Sequence, residues 1–161
     1  MKNSKEIDIA QKLIRCKSIA PKDGGALKIV EKKCKSMGFK CTKLRFAEKG
    51  FDTINNLYAE IGSGSPHFSF AGHVDVVPAE KKEWAVDPFA GKIKNNFLHG
   101  RGAVDMKSAI ACFISATKSY LEENKNFKGK ISVLISGDEE TWAINGTKKI
   151  LKWLKKKKIK I

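Results

Sequence analysis

The chain is poor in arginine. Only Arg15, Arg45 and Arg101 stand among its 32 basic residues, in 161 residues that carry 17 acids and a net charge of +15. Base edges and phosphate forks are read best by the planar guanidinium, so an excess built almost wholly from lysine argues against nucleic acid as the main partner. The basic surplus is also uneven: eight lysines follow Glu140 with no acid among them. Cysteine is sparse as well. Cys16, Cys34, Cys41 and Cys112 form no C-x-x-C pair, which removes zinc-knuckle and thioredoxin-like readings. Their apolar flanks suit buried free thiols, and a reducing, cytoplasmic compartment is expected. Long apolar runs are missing too. The longest, Ala109 to Ala116, is too short to cross a bilayer, and Met1 to Ala10 lacks the apolar centre of a secretory signal.

What is present alternates between helix and strand. Asn3 with Glu6 predicts a capped first helix whose apolar face is Ile7, Ala10, Leu13 and Ile14. A second helix is expected from about Ala26 to the stop at Gly38, with Ile29, Val30 and Met37 inward. Strands are expected at Lys40–Arg45, Asn56–Ile61, His67–His73 and Lys130–Ser136, with a small hairpin turning at Asn95-Asn96. Helices are expected from Met106 to about Glu122 and from about Asn145 into the lysine-rich end. This alternation predicts an α/β domain around a central sheet, with no repeat and no linker.

Three segments each end a strand, or open a helix, with a metal-competent side chain. They are Gly72-His73-Val74-Asp75, Gly100-Arg101-Gly102-Ala103-Val104-Asp105-Met106-Lys107 and Ser136-Gly137-Asp138-Glu139-Glu140. Sites in open α/β sheets form at the carboxyl ends of strands, and one imidazole with several carboxylates suits zinc. In that reading His73 gives nitrogen to one ion, Glu140 gives oxygen to the other, and the two oxygens of Asp105 bridge them. Asp75 accepts the second ring N–H of His73 and fixes its tautomer. Glu139, pointing away from Glu140 if the backbone is extended there, holds the proton of an attacking water. Each segment also has a plain reading: a core histidine, a turn, a solvated pair of acids. His67 and His99 read as structural or surface residues. Composition and spacing alone go no further than a candidate metal-dependent hydrolase.

Taken together the segments resemble the co-catalytic zinc amidohydrolases, the family of the aminoacylases, acetylornithine deacetylases and succinyl-diaminopimelate desuccinylases. The likeness rests on Gly-His-x-Asp-x-Val-Pro at Gly72 to Pro78, Trp-x-x-Asp-Pro-Phe-x-Gly at Trp84 to Gly91, Gly-Arg-Gly-x-x-Asp-Met-Lys at Gly100 to Lys107, and Asp-Glu-Glu at Asp138 to Glu140. It runs from about Leu13 to Leu154. Asn56 to His67 and Ala143 to Thr147 look most like the desuccinylase branch. The resemblance implies a three-layer, zinc-peptidase-like domain with a mostly parallel central mixed sheet. It implies two zinc ions, or cobalt, held by His73, Asp105 and Glu140, with Glu139 as general base and Asp75 orienting His73. A cis bond between Asp105 and Met106 is implied as well. The implied reaction cleaves N-succinyl-LL-2,6-diaminopimelate to succinate and LL-2,6-diaminopimelate, a step of lysine biosynthesis.

The chain also departs from that family. A further acidic ligand, a final histidine ligand and an inserted domain for dimerisation and closure belong to later parts of such proteins. Residues 1–161 are therefore expected to be the N-terminal part of the di-metal domain, truncated and weakly active or inactive alone, with an exposed apolar face. Thr141-Trp142 replaces the small Gly-Pro pair usual after the glutamates. A small-molecule N-succinyl amino acid is the expected partner, with neither nucleic acid nor membrane, and a homodimer is implied only for complete relatives. An acetylornithine deacetylase-like or other N-acyl amino acid deacylase, and a non-catalytic binding module, are the alternative readings.

Overall fold

The computed structural model describes residues 4–161. The cap expected of Asn3 lies outside the described residues. Helix α1 (Lys5–Arg15) buries Ile9, Ala10, Leu13 and Ile14, so Ile9 replaces the expected Ile7 on its inner face. Helix α2 (Ala26–Ser36) buries Ala26, Leu27, Val30 and Cys34. Its last turn closes when Phe39 donates its N–H to the Cys34 carbonyl, with Gly38 at φ +91° making the reversal that other residues resist.

Strands β1 (Lys40–Phe46), β2 (Ile54–Ser63), β3 (His67–His73) and β6 (Gly129–Ser136) make one sheet in the order β1-β2-β6-β3. Strands β4 (Lys92–Lys94) and β5 (Phe97–His99) form the hairpin expected at Asn95-Asn96, both of which take positive φ. Helix α3 (Ser108–Glu123) connects towards β6, and α4 (Thr147–Lys156) follows it.

Side-chain alternation along the two central strands sorts the layers. Leu57 and Ala59 of β2, with Val133 and Ile135 of β6, meet Leu13, Val30, Ile110 and Ile114 of the first three helices. Tyr58 and Leu134, the intervening residues, meet Ile150 and Leu154 of α4 on the opposite face. The result is three layers, and β6 is buried on both faces, as its composition predicts.

The sheet is mixed, but not mostly parallel. β1 with β2 and β2 with β6 are antiparallel; only β3 with β6 is parallel. The physical reason is the connections. No helix lies between β1 and β2, and β2 reaches β3 through a short turn, so these strands run in opposite directions. Only α3, between β3 and β6, supplies the crossover a parallel pair requires.

Burial pushes the Cys34 thiol up to about 12, the behaviour expected of a buried cysteine. Cys16 and Cys41 are only half-buried, and Cys112 is exposed on α3, against the expectation of burial. Its neighbours Ala111 and Phe113 are apolar in sequence, but position 112 falls on the outer side of the helical period. No helix among the described residues is long and apolar enough to cross a membrane.

Candidate metal centre

Strand register brings the site together. β3 and β6 run parallel with His73 opposite Ser136, so the residues after each strand emerge side by side. The Val74 N–H donates to the Ser136 carbonyl at 2.9 Å and extends this pairing past the strand end. Asp105 arrives from a third direction, on the turn Ala103–Lys107 that leads into α3. The bond between Asp105 and Met106 is cis.

His73, Asp105 and Glu140 converge: one ligand atom from each lies within 4.8 Å of the others. His73 Nε2 is 3.0 Å from Asp105 Oδ1 and 3.7 Å from Glu139 Oε2. His73 is buried, whereas the Asp105 side chain is 69% exposed, so the cluster opens to solvent on the carboxylate side. Glu139 and Glu140 do not diverge as an extended backbone would make them. Beyond Ser136 the chain bends, and both glutamates come to the His73 imidazole.

Asp75 holds the far side of that bend. Its buried Oδ2 accepts the N–H groups of Glu139 and Glu140, each at 2.8 Å. Its main-chain carbonyl lies 3.0 Å from His73 Nδ1, and its Oδ1 lies 3.6 Å from the same atom. The carbonyl, not the carboxylate, therefore holds the ring most closely. One residue thus orients the imidazole and both glutamates.

The electrostatics follow from these contacts. Burial opposes a charge on His73, but the carboxylate and carbonyl of Asp75, joined by Asp105, outweigh it and lift its pKa to about 9. Burial likewise works against charge on Asp75, yet the His73 ring and the two N–H donors hold its carboxyl below the usual range. Burial, with Asp105, Glu139 and Asp75 nearby, raises Glu140 despite the pull of His73.

The donor set fits a zinc-like cation: one imidazole nitrogen and carboxylate oxygens. A further observation agrees. Asp75 Oδ1 is buried with no hydrogen-bond partner, and it faces Nδ1, the ring atom that must carry the proton when Nε2 binds a metal.

Several residues around the cluster escaped sequence reasoning. Asp138 is buried, and its carboxylate accepts from the N–H groups of Ala143 and Asn145 and from the Thr141 hydroxyl. Asn56 on β2 accepts from the Gly137 N–H and donates to the Asn145 carbonyl. The loop after Glu140 is therefore tied down although Thr141-Trp142 replaces the smaller pair. Trp142 itself is 75% exposed and meets Phe51 edge-on at 6.1 Å. Lys107 is fully buried, and burial drops its ammonium to about 8. Membership of the quoted segments was the only sequence signal for Asp138, Lys107 and Asn56.

The Trp84 to Gly91 segment adds no ligand to the cluster. It braces the next segment instead: Arg101 donates its N–H to the Pro88 carbonyl and lays its guanidinium 5.3 Å from the Trp84 ring. His67 and His99 lie elsewhere, against Ser132 and the carbonyls of Lys160 and Lys94.

Comparison with known proteins gives three results. A profile of the peptidase family M20/M25/M40 matches residues 69–161. Among curated relatives, the succinyl-diaminopimelate desuccinylase of Parvibaculum lavamentivorans is 53% identical over 149 residues, covering 92% of this chain and 37% of that protein. The one of Pelagibacter ubique is 52% identical over 157 residues, covering 97% and 41%. The chain thus spans about two fifths of the length of these relatives. Among solved structures, human carnosine dipeptidase 1 superposes with a TM-score of 0.83 at 19% identity, over 93% of this chain and 35% of that one. A metallo-carboxypeptidase of the M20 family from Sulfolobus solfataricus gives 0.73 at 23%, over 98% and 36%. At these identities the likeness is one of fold.

Proposed function

The chain belongs to peptidase family M20/M25/M40, and from that premise we propose that it carries part of a di-metal amidohydrolase site acting on N-succinyl-LL-2,6-diaminopimelate. The observation that carries this reading is the meeting of His73, Asp105 and Glu140 from three segments far apart in sequence. The names of the relatives at 52–53% identity supply the substrate. His73 would hold one ion, Glu140 the other, and Asp105 both. When bound, the ions supply Lewis acidity, polarising the amide carbonyl and acidifying water near neutral pH.

The protein's own residues do the rest. Glu139 reaches the cluster and takes a proton from the water that attacks the succinyl carbonyl carbon. It returns that proton to the amine nitrogen as the C–N bond breaks, giving succinate and LL-2,6-diaminopimelate. Asp75 keeps the Nδ1 proton of His73 in place and holds the glutamates at their N–H groups.

Residues 1–161 are in this reading the N-terminal part of the catalytic domain, and the remaining length of the relatives supplies further ligands, substrate contacts and the dimer contact. Two features support that division. The outer edge of β3 has no partner strand among the described residues. Beside it runs an apolar groove of about 460 Å³ where Phe68, 62% exposed, stacks on Phe113. An uncovered edge of this kind favours association. The 161-residue chain is expected to self-associate, and Phe68→Lys to return it towards a monomer in sedimentation velocity. A monodisperse parent would count against the uncovered-face reading.

The test of function is a substrate panel on a chain completed to the length of the relatives. Turnover of succinyl-diaminopimelate is expected at ordinary enzyme rates of about 1–10³ per second, abolished by chelator and restored by zinc or cobalt. The 161-residue chain alone is expected to show far less. Preference for N-acetylornithine would move the assignment to another deacylase. Absence of metal binding and turnover would leave a binding module.

A further inference from the structure

Asp105 stands on a turn with little to hold it. Val104 beside it is 93% exposed, and among the described residues the Asp105 side chain hydrogen-bonds only to the His73 ring. Met106 lies over Gly72. The other anchor is Lys107, whose N–H donates to the Gly102 carbonyl at 2.9 Å and whose side chain runs inward.

A fully buried lysine calls for a physical explanation. Among the described residues Lys107 makes no ion pair with a carboxylate; its Nζ donates to the Cys16 carbonyl at 2.8 Å. Cys16 is the C-terminal cap of α1, where the helix presents the negative end of its dipole. The ammonium is thus bonded to a helix end and not to an acid, with the charge of the Asp75 carboxylate acting on it from a greater distance.

The same carbonyl also accepts the Ser18 N–H at 2.8 Å. Ser18 then grips the other ligand-bearing segment: its hydroxyl donates to the Val74 carbonyl at 2.6 Å, and its own carbonyl accepts the Val76 N–H at 3.0 Å. Val74 and Val76 flank Asp75 and follow His73. A continuous chain of hydrogen bonds therefore runs from Lys107 through Cys16 and Ser18 to the strand end that carries His73. We propose that Lys107 is a positioning residue that sets Asp105 relative to His73, by tying the Asp105 turn to the end of α1.

The proposal rests on the metal reading of the cluster, and the experiment separates the two. Lys107→Met keeps the length and packing of the side chain and removes the tie. In the 161-residue chain, amide hydrogen exchange of residues 103–107 is expected to quicken while β6 exchanges as before. Zinc affinity, measured by competition with a chromophoric chelator, is expected to fall about 10–100-fold. The melting temperature should hold, since a merely structural loss would lower it without a separate effect on zinc. Lys107→Gln, which stays polar should Lys107→Met not fold, is expected to give the same losses. Exchange at the parent rate in 103–107, or unchanged zinc affinity in a parent that binds zinc, overturns the assignment. Where the 161-residue parent binds no zinc, the exchange rates alone decide whether Lys107 holds the turn, and absence of zinc binding by a chain completed to the length of the relatives refutes the metal reading.

Discussion

Glu139→Gln in a completed chain is expected to lower turnover of succinyl-diaminopimelate by roughly 10²–10⁴-fold, the usual contribution of a general base. The amide keeps the size and hydrogen-bonding shape of the side chain but does not accept the proton. Glu139 stands 3.7 Å from His73 Nε2 and lies outside the His73, Asp105 and Glu140 set, so zinc content should be unchanged. The effect should fall on kcat at constant metal stoichiometry. A variant that retains parental turnover removes Glu139 as the base.

Asp75→Ala is expected to cause the largest loss of stability in the site. Two N–H groups, those of Glu139 and Glu140, lose their common acceptor, and the His73 ring loses a buried carboxylate. Removing one member of such a buried polar group costs about 3–5 kcal/mol, or roughly 6–20 °C in melting temperature for a domain of this size. Zinc affinity should fall at least ~10-fold as well. A variant that melts with the parent would show that Asp75 does not organise the site.

The same variant tests the charge coupling. Raising the His73 pKa to about 9 contributes stability that is full below the imidazole's ordinary value near 6.5 and is lost as pH climbs through 9. The depressed Asp75 carboxyl contributes above the ordinary range near 3.9 and is lost as pH falls through its lower folded value. In Asp75→Ala the imidazole resonance of the metal-free protein should titrate well below 9.

Much of this was legible before the structure. Gly72 to Asp75, Gly100 to Lys107 and Asp138 to Glu140 each announce a carboxylate or imidazole at an element end, and the structure brings His73, Asp105 and Glu140 together. The strands and the Asn95-Asn96 hairpin follow from local pattern, because β-branched runs and turn residues act over a few positions. Sheet direction did not, because it depends on which strands become neighbours: β6 pairs with β2 and β3, whose partner residues all lie more than sixty positions earlier. The inward face of α1 shifted from Ile7 to Ile9 because tertiary packing, and not period alone, selects among adjacent isoleucines. Lys107 was hidden in plain view. Nothing local distinguishes a lysine destined for a helix end from the many that face water.

The place of β6 in the sheet bears on how the molecule is made. Of the six strands among the described residues it is the last in sequence, yet it occupies an interior position between β2 and β3. Until Gly129–Ser136 has emerged, a nascent chain leaves both of those strands with an open edge, and the contacts that unite them span long stretches of sequence. The strand that closes the sheet is also the one that delivers Glu139 and Glu140 to His73. The pairing of β6 therefore brings Glu140 to His73 and Asp105 in the same event that joins β2 to β3.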